Sequence, residues 1–248
     1  MVGGSVYALH SVDLDISRHM IHVKGLKQRM RIVALSDLHA PCSYISTTDL
    51  IKAVNAQKPD VLILAGDMFG VPDFEGTVIG LKEAKAGFAK LAVLGNWEYQ
   101  LKLNLESLKK AYEDAGIKLL VNDTCEVNGL KILGLDDFLH GFPNYKLAYD
   151  RAGNTLPELV VSHCPASFDS IKPHPQNPKI LISGHTHGGQ IAPFGHVLVI
   201  PDGSGCYVKG WYHRGNSSMY VMRGVGASIL PVRIGARPEL LVLDLLPA

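Results

Sequence analysis

The order of apolar and amphipathic runs in the first half of the chain restricts the fold most strongly. Three short apolar runs occupy residues 31–36, 61–65 and 91–94. Segments with a helical pattern follow each of them, at residues 47–58, 80–85 and 105–115. Because strands that alternate with helices typically form a sheet covered by those helices, this order predicts an α/β fold.

The second half of the chain contains mainly strand patterns. Asn128-Gly129 joins the apolar runs 125–127 and 130–135, as in a tight β-hairpin. Further strands are predicted at residues 159–162, 180–183, 197–200, 220–224 and 240–245. Since few helical segments intervene, we expect these later strands to form a second sheet packed on the first. No linker-like segment interrupts the chain, so we expect a single domain over residues 1–248.

The charge balance argues against two classes of protein. The 248 residues include 24 Lys and Arg against 23 Asp and Glu, a formal net charge of +1, and 47% of them are hydrophobic. Disorder requires low hydrophobicity and high net charge, and a strongly basic nucleic-acid binder requires an excess of positive charge. We therefore expect a folded protein whose partner is not a nucleic acid.

The sequence shows no pattern of a membrane-spanning segment or of a secretory signal. A transmembrane helix needs about 18 or more consecutive apolar residues. The N-terminal residues lack a basic start followed by an apolar stretch. The four cysteines are scattered, without the CxxC pair that indicates a zinc site. We expect reduced thiols and a cytoplasmic protein, with peripheral contact to a membrane as an alternative.

Polar side chains follow five of the apolar runs directly. They are Asp37, His39, Asp67, Asn96, His163, His185 and His187. Loops at the carboxyl ends of strands are where α/β sheets gather their ligands. A buried, unpaired Asp or His is costly, so a group of them requires a compensating partner. We therefore expect these seven side chains to bind metal.

The number and type of these donors indicate two metal ions. Seven donors exceed the needs of one small divalent ion and suit two ions that share a carboxylate. Oxygen and imidazole donors without thiolate favour first-row ions over a structural zinc. We expect two divalent ions, manganese first, with iron, zinc or nickel as alternatives. Two such ions about 3.5–4 Å apart bind the attacking and leaving oxygens of a phosphoryl transfer and acidify a bound water.

Five motifs, in this order, resemble the signature of the calcineurin-like metallophosphoesterases. They are Asp37-Leu38-His39, Gly66-Asp67, Gly95-Asn96, Ser162-His163 and Gly184-His185-Thr186-His187. The stretch 184–191, GHTHGGQI, is similar to a bacterial and archaeal subgroup that includes phosphodiesterases and a UDP-2,3-diacylglucosamine pyrophosphatase. The resemblance covers nearly the whole chain from about Arg31 onward. It implies a four-layer α/β/β/α sandwich of two mixed sheets flanked by helices, with the metals at its edge.

The resemblance also implies a role for each of the seven donors. The family pattern assigns the first ion to Asp37, His39 and His187. It assigns the second ion to Asn96, His163 and His185, and Asp67 bridges the two. The implied reaction is hydrolysis of a phosphodiester or pyrophosphate bond, in which a hydroxide that bridges the ions attacks the phosphorus. Asp67 and Asn96 are therefore expected to be catalytic residues as well as ligands.

The sequence departs from the family pattern directly after Asn96. The family usually has a histidine there, which protonates the leaving group or stabilises the transition state, whereas this chain has Trp97. An indole N–H donates a hydrogen bond but cannot act as a general acid. Loss of general acid catalysis typically costs about 10²–10⁴-fold in rate. We therefore expect substrates with good leaving groups, such as a pyrophosphate or an activated phosphodiester.

Two histidines outside the motifs are candidates for the missing acid. His140 lies in the loop after the predicted strand 130–135, and His213 lies in the stretch 211–214, WYHR. For each of them a solvated surface position is the alternative. Arg223 and Arg233 are candidates to contact phosphate, with ordinary ion pairs as the alternative.

The segment 193–212 is rich in glycine, aromatic and apolar residues. An ordinary hairpin on the core is the favoured interpretation, and a groove for an apolar substrate group such as a lipid chain is the alternative. The expected partner is a small phosphodiester or pyrophosphate substrate, either nucleotide-linked or lipid-linked. Two other functions are a non-catalytic metal-binding scaffold on the same fold and a nuclease. The complete donor set favours the hydrolase over the scaffold, and the near-zero net charge argues against the nuclease.

Overall fold

Two sheets form the centre of the fold in the residues that the computed structural model describes, 13–23, 25–41, 43, 45–152, 159–171 and 180–248. Their strands are β1 (Asp15–Val23), β2 (Met30–Leu35), β3 (Val61–Ala65), β4 (Ala89–Val93), β5 (Ile117–Leu119), β6 (Asp123–Val127), β7 (Leu130–Gly134), β8 (Leu159–Val161), β9 (Ile180–Ser183), β10 (Gly210–Arg214), β11 (Ser217–Val221) and β12 (Glu239–Pro247). The helices are α1 (Thr47–Ala56), α2 (Glu75–Lys82), α3 (Asn96–Gln100), α4 (Leu105–Asp114), α5 (Tyr145–Ala152) and α6 (Ser167–Ile171).

Both sheets have six strands and mix parallel with antiparallel pairs. The first sheet has the order β1-β12-β2-β3-β4-β5, and the second has the order β10-β11-β9-β8-β7-β6. Strands β2, β3, β4 and β5 run parallel to one another, as do β7, β8, β9 and β11. The carboxyl ends of β2, β3 and β4 therefore lie at one edge of the first sheet, and those of β8 and β9 lie at one edge of the second.

Three apolar layers hold the sheets and helices together. Ile32 and Ile63 of the first sheet pack with Ile132 and Ile182 of the second in the layer between the sheets. The outer face of the first sheet packs against α1, α2 and α4, and that of the second packs against α5 and α6. This arrangement confirms the expected four-layer α/β/β/α sandwich of two mixed sheets flanked by helices. Within the described ranges, every helix is too short or too polar to cross a bilayer.

Local sequence signals explain most of the elements. The Ser46 side chain accepts a hydrogen bond from the backbone N–H of Asp49 and caps α1, one residue before the predicted start. Asn128 and Gly129 have φ angles of +48° and +82°, as a two-residue hairpin turn requires. Of the cysteines, Cys125, Cys164 and Cys206 are free thiols, and Cys42 lies outside the described residues.

One strand prediction and one sheet assignment are wrong. Residues 197–200 were expected to be a strand but form an irregular loop, in which Leu198 and Val199 are exposed rather than packed. The strand that contains residues 240–245 was expected in the second sheet, yet β12 lies between β1 and β2 in the first. Arg31 of β2 and Asp244 of β12 are joined there by two hydrogen bonds of 2.8 and 3.1 Å. An apolar run that is buried on both faces does not reveal which neighbours it has.

Six elements were not predicted, and two boundaries differ from the prediction. The missed elements are short, exposed on one side or located at a sheet edge, and they are strands β1, β5 and β10 and helices α3, α5 and α6. Helix α2 begins five residues before the predicted segment 80–85, and β11 begins three residues before the predicted segment 220–224.

Candidate metal centre

The loops after five strands bring the seven predicted donors together. Asp37 and His39 follow β2, Asp67 follows β3, and Asn96 begins α3 immediately after β4. His163 follows β8 of the second sheet, and His185 and His187 follow β9. All seven side chains are buried, with relative exposures between 0 and 6%. The site therefore lies where the carboxyl ends of these strands from both sheets meet.

Six of the donors form two triads suited to metal binding. Asp37, His39 and His187 form the first triad, and Asp67, His163 and His185 form the second. Within each triad, one ligand atom from every residue lies within 4.8 Å of the others. In the first triad, the Nε2 atoms of His39 and His187 are 3.1 Å apart, and Nε2 of His187 is 3.6 Å from Asp37 Oδ1.

Asp67 lies between the two triads, and Asn96 lies beside the second. Oδ2 of Asp67 is 3.1 Å from Nε2 of His163 and 3.7 Å from Nε2 of His39, so one oxygen faces a histidine of each triad. Oδ1 of Asn96 is 2.9 Å from Nδ1 of His185. These distances match the pattern of two neighbouring sites that share one carboxylate.

The histidine rings are oriented by contacts on their far side. Nδ1 of His163 lies 2.8 Å from the carbonyl oxygen of Ala65, and Nε2 of His185 lies 2.6 Å from that of Asp202. A nitrogen that donates to a carbonyl leaves the other ring nitrogen free to accept, which is the arrangement typical of metal-binding histidines. His163 thus presents Nε2 to the centre, and His185 presents Nδ1.

The backbone at the centre is strained at five of the seven donors. Asp37, His39, Asp67, His185 and His187 have φ angles between +46° and +74°, in the left-handed region. Residues other than glycine rarely adopt this conformation, and each instance costs about 1–3 kcal/mol. Such strain clusters at functional sites, where the surrounding structure holds the side chains in place.

Two glycines of the predicted motifs allow the donors to approach each other. A Cβ atom on Gly66, which has a φ of +89°, would lie 2.6 Å from Nδ1 of His163. A Cβ atom on Gly95 would lie 2.7 Å from the backbone nitrogen of Asp67 and would also meet its carboxylate. Any larger residue at these positions would therefore displace a donor.

The negative charges of the buried carboxylates favour a cation at the centre. Burial lowers the pKa of the His163 imidazole, but the carboxylates of Asp67 and Asp37 outweigh this effect and raise its pKa well above the usual value. Burial raises the pKa of Asp67, but His163 and His39 outweigh it and lower the pKa of Asp67 to about 2. Asp67 is therefore ionised, and its carboxylate attracts positive charge to the position of His163.

His187 differs from His163 in its charge state. Burial, followed by the positive charge of Arg233, holds the pKa of the His187 imidazole well below its usual value. His187 is therefore neutral near neutral pH, which is the form that binds a metal.

The donor set fits two divalent cations. The buried Nε2 atom of His163, which faces Asp67, has no aligned hydrogen-bond partner in the described structure. Buried polar atoms are normally paired, so unpaired ones indicate a missing partner. Two buried carboxylates together with four imidazoles provide the hard oxygen and borderline nitrogen donors that first-row divalent ions prefer.

Trp97 and Glu98 support the centre from α3. The Trp97 ring packs edge-on against the His39 ring, with centroids 4.8 Å apart, and its backbone N–H donates to Asp67 Oδ1 at 2.8 Å. The Glu98 carboxylate accepts from the backbone N–H groups of Asp67, Met68 and Gly95. Burial and the neighbouring charge of Asp67 raise the pKa of Glu98 to about 7. Glu98 therefore joins the loops after β3 and β4, a role that the sequence analysis did not assign.

A cavity of about 750 Å³ opens onto the centre. Asp67, Asn96, His185 and His187 line its polar part, together with Trp97. His140 also lines this cavity, and its Nε2 atom is 3.0 Å from the side-chain nitrogen of Gln100.

His213 lies elsewhere in the fold. It is opposite Ser218 in the β10–β11 ladder, and Ser218 lies beside the first residue of β9, at the end away from His185. His213 lines a separate groove with His19 and Trp211. The structure thus brings His140, but not His213, to the cavity at the centre.

The two arginines singled out from the sequence contact protein groups. Arg223 donates to Asp15 at 2.6 Å and lies 3.3 Å from Glu239. Arg233 is 2% exposed and donates to the carbonyl oxygens of Gly226 and Ala236 at 2.6 and 3.1 Å. Its Nη2 atom lies 3.1 Å from Nδ1 of His187. This contact joins residues 46 positions apart, and no local pattern in the sequence indicates it.

Comparison with known proteins agrees with this geometry. The family model for calcineurin-like phosphoesterases matches residues 30–189. The chain is 30% identical over 228 residues to the uncharacterized metallophosphoesterase YkuE of Bacillus subtilis, covering 87% of this chain and 78% of the relative. It is 29% identical over 248 residues to the phosphodiesterase YaeI of Escherichia coli, covering 93% and 88% of the two chains.

A solved structure shares the fold. The NAD nucleotidase of Haemophilus influenzae superimposes with a TM-score of 0.51 at 15% identity, covering 80% of this chain and 45% of the other. The family match spans more than half of the chain and includes all five motifs whose side chains meet at the centre. The chain therefore belongs to the calcineurin-like phosphoesterase family and is a metal-dependent phosphoesterase.

Proposed function

We propose that this protein is a dinuclear phosphohydrolase that cleaves a phosphodiester or pyrophosphate bond with a good leaving group. One observation carries the proposal: two buried triads, built from four strand ends, meet at Asp67 and open onto one cavity. A structural metal site is normally closed by protein ligands, whereas a catalytic site keeps a position open to solvent or substrate.

We assign one ion to Asp37, His39 and His187 and the other to Asn96, His163 and His185, with Asp67 shared by both. Two divalent ions supply an acidified water as nucleophile and neutralise charge on the phosphoryl oxygens. The protein holds the donors in place before substrate binds, through the strained loops and the carbonyl contacts of the histidine rings. Manganese is the ion to test first, because these oxygen and nitrogen donors accept it without a thiolate.

Trp97 supports the proposed preference for good leaving groups. Its indole contacts His39 and lines the cavity, at the chain position where the family usually has a histidine. This side chain can orient a substrate oxygen by donating a hydrogen bond but has no proton to transfer near neutral pH.

His140 is the residue that we propose as a substitute acid. The backbone N–H of His140 donates to Asp137 Oδ2 at 2.7 Å, which fixes the loop, and the side chain lies in the same cavity as Trp97. We do not extend this proposal to His213, because its ring lines a different groove.

The first experiment measures manganese binding and hydrolysis together. We expect calorimetry to give two Mn²⁺ ions per chain, and we expect the loaded protein to hydrolyse bis(p-nitrophenyl) phosphate. Asp67→Asn should reduce the stoichiometry or weaken both sites. Two bound ions without turnover of any diester, monoester or pyrophosphate would favour a non-catalytic scaffold, and a single bound ion would exclude the dinuclear assignment.

The second experiment tests the leaving-group preference. Rates on aryl phosphodiesters of graded leaving-group pKa should fall steeply as the leaving group becomes more basic. Trp97→His should flatten this dependence, and His140→Gln should steepen it. A flat dependence in the wild-type protein, with chemistry shown to be rate-limiting, would mean that another acid already operates.

A further inference from the structure

Exposed apolar side chains are concentrated in two loops beside the cavity. The first apolar loop, residues 194–200, exposes Phe194, Leu198, Val199 and Ile200, and the second, residues 229–232, exposes Ile229, Leu230 and Val232. Of the twelve large hydrophobic side chains exposed among the described residues, these two loops contain seven. Ile229 is 91% exposed. Single exposed apolar residues are normal on a protein surface, whereas a contiguous group of them marks a binding surface.

The two apolar loops and the metal centre share one cavity. Leu198, Val199, Ile229 and Leu230 line the same space as Asn96, His185 and His187. A substrate whose phosphorus lies at the candidate ligands would therefore place an attached group against these four apolar side chains, which we call the apolar wall. An apolar group would fit this position better than a polar one.

Hydrogen bonds hold both apolar loops in place. The Gln190 side chain donates to the carbonyl oxygens of Ser228 and Leu230 and accepts from the backbone N–H of Ser228, which fixes the second loop. The first loop continues into Asp202, whose carbonyl oxygen lies 2.6 Å from Nε2 of His185. The apolar wall is therefore attached to a candidate ligand and does not depend on a bound molecule for its position.

The charges along the cavity favour a hydrocarbon over a nucleotide. Among the described residues that line it, none is lysine or arginine, the residues that typically bind additional phosphates. Asp202, which also lines it, adds negative charge. A nucleoside diphosphate or triphosphate would bring further phosphate charge to these loops without a lysine or arginine to meet it, and a nucleoside would place a polar ribose and base there, whereas an alkyl chain would only displace water from apolar side chains.

We propose that the two apolar loops form a subsite for the hydrocarbon chain of an amphipathic phosphoester, such as an alkyl or acyl chain. The inference rests on the proposed phosphohydrolase function, because it takes the phosphorus to lie at the metal centre. It resolves the choice between nucleotide-linked and lipid-linked substrates in favour of the second.

The test uses alkyl p-nitrophenyl phosphates that differ only in the alkyl chain, from methyl to octyl, all below their micelle-forming concentrations. Each fully buried methylene contributes about fourfold in binding. Since the wall covers only one side of a chain, we expect kcat/KM of the Mn²⁺-loaded protein to rise at least about 50-fold across the series. Calorimetry with methylphosphonate and octylphosphonate measures the same preference without turnover.

Two variants and one control locate the subsite. Leu198→Ser and Ile229→Ser should each reduce the octyl-to-methyl ratio several-fold, in both rate and binding. Ile79→Ser is the matched control. Ile79 lies on α2, is 68% exposed and lines a separate groove between α2 and α4. This control should leave the ratio unchanged.

The outcomes separate this subsite from the proposed function. Turnover of the methyl ester with no gain from longer chains would overturn the subsite and leave the phosphohydrolase intact. Tighter binding of octylphosphonate without turnover of any ester would support the subsite and refute the hydrolase. A preference seen only with micelles or phosphatidylglycerol vesicles, and absent for monomers, would also overturn the subsite, because it would reflect adsorption to a lipid surface.

Discussion

Replacement of Arg233 by methionine should weaken both the fold and the metal centre. Arg233 is buried, and its guanidinium joins the 226–236 segment to the ring and carbonyl oxygen of His187. Methionine fills similar space but donates no hydrogen bond. The carbonyl oxygens of Gly226 and Ala236 would then lose a donor in a buried environment, and the His187 ring would lose a contact that orients it.

The magnitude follows from the groups left without a partner. A buried acceptor that loses its donor costs about 1–3 kcal/mol, so two of them cost about 2–6 kcal/mol. Removal of the guanidinium also relieves an unfavourable burial, which lowers the pKa of Arg233 to about 10. This relief offsets part of the loss, and we expect the free energy of unfolding to fall by about 2–4 kcal/mol. Loss of a residue that orients a metal ligand typically weakens metal binding by about 10–100-fold.

Two measurements separate the effect on the centre from the effect on the fold. Urea denaturation gives the free energy of unfolding, and calorimetry with Mn²⁺ gives the affinity at each site. Arg31→Met is the control. Arg31 is a partly buried arginine that donates to the Asp244 carboxylate and to the Gln57 carbonyl oxygen, and it lies at the end of β2 away from Asp37. This control should lose stability and keep its metal affinity. If Arg233→Met bound both ions as tightly as Arg31→Met, the orienting role of Arg233 would be refuted.

Three further predictions test the donor geometry, the sheet contact and the metal. Gly95→Ala should weaken Mn²⁺ binding at least about tenfold by calorimetry and lower the free energy of unfolding by about 1–3 kcal/mol, because the Cβ atom of the alanine would displace Asp67. An unchanged Mn²⁺ affinity would contradict the described packing. Asp244→Asn should cost about 1–2 kcal/mol at neutral pH. Arg31 lowers the pKa of Asp244 below its unfolded value, so this stability is present above about pH 4 and disappears as the pH falls through the folded pKa; a pH-independent difference in urea denaturation would argue against the pair. Mn²⁺ at 100 times its dissociation constant should add about 2.7 kcal/mol for each ion and raise the Tm by about 5–10 °C for each ion, relative to protein in EDTA. An unchanged Tm would mean that the folded protein does not bind the ion selectively.

Local sequence patterns were sufficient for the buried strand β3 and for the hairpin of β6 and β7. The run 61–65 is apolar throughout and forms β3 over the predicted residues, and the Asn128-Gly129 turn joins β6 and β7 as predicted. These elements are specified by burial and turn chemistry that act over a few residues. Short strands at the sheet edges, such as β5 and β10, have weaker patterns because only one face or one neighbour constrains them.

The wrong strand prediction and the wrong sheet assignment have different physical causes. Residues 197–200 have the composition of a strand, but they form a loop in which Leu198 and Val199 line the cavity. The strand β12 was recognised as a strand, but its place between β1 and β2 depends on partners more than 200 residues away in the chain. Strand composition reports burial and does not report pairing.

By itself, the sequence determined the α/β class and placed seven candidate donors at strand ends, because periodicity and strand length are local properties. Only the tertiary structure decided which donors face each other, that Asp67 lies between two triads, and that His140 reaches the cavity while His213 does not. It also revealed Arg233 behind His187 and the apolar loops beside the centre. These features depend on contacts between segments distant in the chain, whose distances are set by the packing of the two sheets.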